Sequence, residues 1–124
     1  MRNNKKVLVV DDESHIRRVI EVKLKKYGFD VIYAPNGQEG LKALQEEKPR
    51  VMITDINMPL MDGRELCEKS DPYKSDWPFL TVIITSRINP EDRSWVADLT
   101  DTIFLEKPFS TSVLKDKIET YIEG

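Results

Sequence analysis

Asp55 closes a short apolar run, Val51-Met52-Ile53, inside the stretch 48–65 (KPRVMITDINMPLMDGRE). An isolated Asp at the end of such a run reads as a turn former. This one has company. Asp11 and Asp12 follow a second run, 6–10 (KVLVV). Thr85 ends a third, 80–85 (LTVIIT), and Lys107 follows a fourth, 103–105. Carboxylates about 5 Å apart repel by roughly 3 kcal/mol per pair at an effective dielectric near 20. A proton, a basic side chain or a divalent cation has to offset that. Oxygen donors without soft ligands point to Mg²⁺, which keeps several waters and favours phosphate oxygens. Lys107 is the basic group that topology can bring to the same edge, and Thr85 adds a hydroxyl there.

The elements that must position these groups are legible as an alternation. Apolar runs without period-two patterning suit strands buried on both faces of a parallel sheet. Between them lie amphipathic helices. Ile16, Val19, Ile20, Leu24 and Tyr27 mark the first, with Asp12 or Ser14 as its cap and Gly28 closing it. Residues 29–34 read as the second strand and Asn36-Gly37 as a turn. Leu41 and Leu44 mark a helix that stops before Pro49, and a short helix carries Leu66 and Cys67. Residues 71–78 read as a loop. Asn89-Pro90 starts a helix with Trp95, Val96 and Leu99, Pro taking the first helical position. The last helix starts near Ser110 and buries Leu114, Ile118, Tyr121 and Ile122. Strand and helix alternate five times, so the expected fold is α/β: a (βα)₅, doubly wound parallel five-stranded sheet with helices on both faces. In such sheets ligands bind beyond the carboxyl ends of the strands, where the strand order reverses, and the first and third strands flank that point. Asp11, Asp12 and Asp55 are therefore expected to converge.

Composition sets bounds. The 124 residues fit one domain, 1–124, with a core of useful size. The net charge of −3 gives no basic footprint, so direct nucleic-acid binding by this segment is not expected. No apolar stretch approaches membrane-spanning length. The lone cysteine, Cys67, excludes an internal disulfide and makes a reducing cytoplasmic compartment the default.

An acidic pair after the first strand, the Asp of TDINMPLMDG, Thr85-Ser86 and Lys107-Pro108-Phe109 together resemble the receiver domain of two-component response regulators, over essentially the whole chain. The resemblance implies a flavodoxin-like sheet in the order 2-1-3-4-5. It implies that Asp55 is the phosphoacceptor, served by a sensor histidine kinase or a small phosphodonor. Mg²⁺ would be held by Asp12 directly, by Asp11 through water, by Asp55 and by the main-chain carbonyl of Asn57. Lys107 would pair with Asp55 or the phosphoryl oxygens. Thr85 would swing to the phosphoryl group and admit Phe104 into the vacated space, changing a surface made by helix 4, strand 5 and helix 5. That surface would control an effector or a fused output domain, or form a dimer. Asn57 and Arg87 would tune acyl-phosphate lifetime, Gly63 would supply a positive φ, and Lys107-Pro108 would be cis.

The chain departs from the family in 97–102 (ADLTDT), which lacks a glycine, so Thr100 or Asp101 must turn without one. His15 reads as a surface residue, with a phosphorelay or metal-ligand role as the alternative. Trp95 reads as a partner anchor or as core. Trp77 covers the core edge, Lys23, Lys25 and Lys26 form a solvated face, and Cys67 is filler. Two rival functions stand beside the switch. One is an aspartyl-phosphate-type phosphatase, which wants an acid two residues after the nucleophile where this chain has Asn57. The other is a receiver-like scaffold that is never phosphorylated. Residues 1–124 are expected to be either a free-standing regulator or a receiver from a longer protein.

Overall fold

Each unalternating apolar run forms a parallel strand, because helices cover both faces of the sheet. The computed structural model describes residues 4–124. The chain runs β1 (Lys6–Val10), α1 (Ser14–Lys26), β2 (Asp30–Ala34), α2 (Gly37–Glu47), β3 (Val51–Asp55) and α3 (Gly63–Ser70). A 3₁₀ turn (Asp71–Ser75) precedes β4 (Leu80–Thr85), α4 (Pro90–Val96), β5 (Thr102–Glu106) and α5 (Thr111–Glu123). All pairings are parallel and the order is β2-β1-β3-β4-β5. The expected architecture and order are therefore observed.

Successive strand residues face opposite ways, and the core divides accordingly. Val7 and Val9 of β1, with Ile53, Val82 and Ile84, pack against Ile20 and Leu24 of α1 and Leu114 and Ile118 of α5. Leu8, Val10 and Met52 turn to the other face, against Leu44 of α2, Leu66 of α3 and Phe79. A third cluster joins Cys67, Ile83, Trp95 and Val96, with Phe104 half-buried against it. Trp95 is thus core, its indole N–H donating to Asp92 Oδ1 at 3.1 Å. Trp77 covers the core edge as expected, donating to the Pro49 carbonyl at 2.9 Å.

Several local expectations are corrected. Residues 71–75 are a 3₁₀ turn rather than loop, since Pro72 can occupy a helix start where no N–H is needed. Asn36 does not make a free turn. It caps α2, its side chain accepting from Glu39 N at 2.9 Å. The residue preceding α1 is Glu13, which makes no side-chain cap, so neither Asp12 nor Ser14 holds that position; the Glu13 N–H donates to Asp11 Oδ1 at 2.9 Å. Gly63 has no positive φ; Leu60 does, at 70°. Gly63 is required for proximity, since a Cβ there would collide with the Asp55 carbonyl oxygen and the Ile56 Cα. Val19 lies on α1 but is exposed, while Tyr121 and Ile122 are only half-buried. Asp101 makes the glycine-free turn with φ 42°.

Candidate functional site

Parallel strands in register end at one edge of the sheet, and this alone brings residues distant in sequence together. Asp11 follows β1 directly, its N–H donating to the Ala34 carbonyl at 3.2 Å. Asp55 is the last residue of β3, beside Ile84 of β4. Lys107 follows β5, its N–H held by the Thr85 carbonyl at 2.7 Å, and its bond to Pro108 is cis. From there the Lys107 ammonium donates to Asp55 Oδ2 at 2.8 Å and to Glu13 Oε1 at 3.3 Å. The other Asp55 oxygen, Oδ1, accepts from Asn57 N at 3.3 Å.

The acids that converge are Asp11, Glu13 and Asp55, with one oxygen of each within 4.8 Å of the others. Asp12 is exposed and lies outside that group. Glu13 was not picked out by the sequence. The only signal was its place directly after the acidic pair, and it becomes conspicuous only when the fold delivers Lys107 to it across 94 residues. Asp11 is 2% exposed. Burial pushes its carboxyl pKa up to about 6; the Glu13 N–H works against this and the Asp55 charge adds to it. Partial burial pulls the Lys107 ammonium down, but the hydrogen bond and charge of Asp55 outweigh that and leave its pKa raised. One ammonium does not balance three carboxylates. A hard, oxygen-only donor set with surplus negative charge fits a divalent cation.

Thr85 is buried at the end of β4, its hydroxyl donating to the Arg87 carbonyl at 3.0 Å while Arg87 N donates back at 3.3 Å. The Arg87 and Asn57 residues are exposed beside the site. Phe104 pairs with Ile83 and lines a groove of about 1050 Å³ between α4, β5 and α5. His15 is exposed, 3.9 Å from Glu13 Oε2.

A five-stranded parallel sheet in the order β2-β1-β3-β4-β5 thus carries an acid-and-lysine pocket at its carboxyl edge. Residues 7–119 match the response regulator receiver domain model, and this chain belongs to that family. The transcriptional regulatory protein PhoP of Bacillus subtilis, for alkaline phosphatase synthesis, is 33% identical over 119 residues, 96% of this chain and 49% of its own length. The probable transcriptional regulator ycf27 of Cyanophora paradoxa is 35% identical over 120 residues, 97% of this chain and 49% of its own. The chain therefore spans about half the length of these relatives. Among solved structures, Vibrio cholerae chemotaxis protein CheY4 superposes with a TM-score of 0.85 at 29% identity, covering 94% of this chain and 98% of that one. A CheY-like receiver domain protein from Methanospirillum hungatei gives 0.88 at 26% identity, covering 98% and 95%. No helix among the described residues is long and apolar enough to cross a membrane.

Proposed function

We propose that this receiver domain is a phosphorylation-controlled switch in which Asp55 accepts a phosphoryl group. The observation that carries the reading is the 2.8 Å pair between Lys107 Nζ and Asp55 Oδ2, made beside Asp11 and Glu13 at one sheet edge. A carboxylate oxygen of Asp55 attacks phosphorus, the bond to the donor's leaving group breaks, and a labile acyl phosphate forms. Lys107 exchanges its Asp55 partner for a phosphoryl oxygen and neutralises charge there. Asp11, Glu13 and Asp55, with the Asn57 carbonyl, are the residues that would hold Mg²⁺, and exposed Asp12 would have to turn inward to join them. When bound, that cation would screen the charge that grows on the transferring group. Exposed Asn57 and Arg87 set acyl-phosphate lifetime by controlling how water approaches, so swapping either should alter the dephosphorylation rate.

The added dianion drives the output. The Thr85 hydroxyl gives up the Arg87 carbonyl for a phosphoryl oxygen, and Phe104 moves toward the space it leaves. Phe104 has no hydroxyl, so its readout is steric, through the α4–β5–α5 surface. The donor partner is a sensor histidine kinase. The recipient is an effector or an output domain, which the transcriptional regulators of twice this length favour. The setting is the cytoplasm, where the lone thiol of Cys67 stays reduced.

Incubation with Mg²⁺ and acetyl phosphate, followed by intact-mass measurement, tests the reading. One phosphoryl group should be added to the native chain and none to Asp55→Asn. No added mass on the native chain would favour the scaffold. Steady turnover of small phosphate esters would favour the phosphatase.

A further inference from the structure

The turn between α4 and β5 is held from outside itself. Asp101 sits at φ 42°, in the left-handed region where glycine would be at ease. Two residues of the 3₁₀ turn, Asp71 and Lys74, grip it. Asp71 Oδ1 accepts from Thr100 N at 2.9 Å. The Lys74 ammonium donates to the Thr100 carbonyl, to the Asp101 carbonyl at 3.3 Å and to Thr102 Oγ1 at 3.2 Å. It lies 3.4 Å from Asp71 Oδ1 and 5.0 Å over the Phe79 ring. The Lys74 side chain is only 5% exposed. Burying an ammonium is costly, and desolvation lowers its pKa against the opposing pull of Asp71. A buried ion pair is a poor source of net stability, but breaking one strands a charge in an apolar place. It therefore favours one arrangement over its neighbours.

We propose that Lys74 and Asp71 form a latch that holds the α4–β5 turn, and through it the α4–β5–α5 surface, in its resting arrangement. The latch grips Thr102, the first residue of β5, two residues before Phe104. It therefore sits at the root of the strand that carries the switch aromatic. The proposal rests on the phosphorylation switch described above. Opening the turn separates Lys74 from its three turn oxygens at once, so the latch acts as a single two-state element. Its loss shifts the resting equilibrium toward the phosphorylated arrangement.

The test is hydrogen exchange on the intact chain, with and without acetyl phosphate and Mg²⁺, in the native protein, Lys74→Met and Asp71→Asn. Lys74→Met keeps a chain to cover Phe79 while removing the charge. Asp71→Asn keeps an acceptor for Thr100 N and supplies the test if Lys74→Met fails to fold. The expected result is exchange at the amides of 100–102 about tenfold faster in the variants. The unphosphorylated variants should also show, across α4, β5 and α5, the protection pattern that the native chain reaches only with acetyl phosphate. Faster exchange confined to 100–102 makes the pair a local staple and overturns the latch, as does unchanged exchange. If the native chain itself shows no phosphorylation-dependent pattern, the switch reading fails and the latch falls with it.

Discussion

Asp11→Asn is the most informative single substitution, because it removes a charge without removing a hydrogen bond. Asp11 Oδ1 accepts the Glu13 N–H at 2.9 Å, and the asparagine carbonyl can keep that contact. Burial raises the Asp11 pKa from 3.8 to about 6. Between those values the folded chain holds a proton that the unfolded chain has released. Stability conferred by this residue is therefore greatest below about pH 4 and declines as pH rises to about 6, after which it is flat. A shift of about two units, at about 1.4 kcal/mol per unit, makes ionised Asp11 a liability of about 3 kcal/mol at neutral pH. Urea unfolding of both proteins from pH 3.5 to 7.5, without divalent cations, measures the difference directly. The two stabilities should converge near pH 4, and the Asn variant should lead by about 3 kcal/mol at pH 7.5, a gain of about 10 °C in Tm at this size. Added Mg²⁺ should narrow the gap, since a ligand at ten times its Kd stabilises the native form by about 1.4 kcal/mol. A gap that does not change with pH, or an Asn variant less stable at neutral pH, would refute the claim that desolvation governs this carboxyl.

Other outcomes follow from single contacts. Gly63→Ala should cost about 2 kcal/mol in urea unfolding and slow phosphorylation of Asp55, because the new methyl meets rigid backbone at Asp55 and Ile56; native-like stability would mean the loop gives way. Leu60 holds φ 70° with 73% of its surface exposed, so Leu60→Asn should raise stability by about 0.5–1 kcal/mol by suiting the left-handed conformation. Burial pushes the Cys67 thiol up to about 12, so a thiol reagent at pH 8 should label it only after unfolding. Fast labelling of the native chain would contradict its placement. Phe104→Ala should weaken partner binding and its dependence on phosphorylation; unchanged values of both would remove Phe104 from the switch.

The alternation of elements is legible in the hydrophobic pattern of the chain, because a strand covered on both faces needs an unbroken apolar run and a helix covered on one face needs a stripe. So is the place of Asp55 and Thr85 at strand ends and of Lys107 just past one, since the apolar runs stop there. Local chemistry was harder to read wherever a residue type serves two purposes. Gly63 looked like a backbone conformer and is a spacer, while Leu60 takes the strained φ that composition would give to glycine. Asn36 looked like a turn and is a helix cap. Tertiary structure alone decided which acids share the pocket. Adjacent residues leaving a strand point in different directions, so Asp12 faces solvent and Glu13, one position on, reaches Lys107. It alone also brought Lys74 to the glycine-free turn, because a contact across 26 residues depends on how the 3₁₀ turn packs over Phe79 and leaves no trace in spacing.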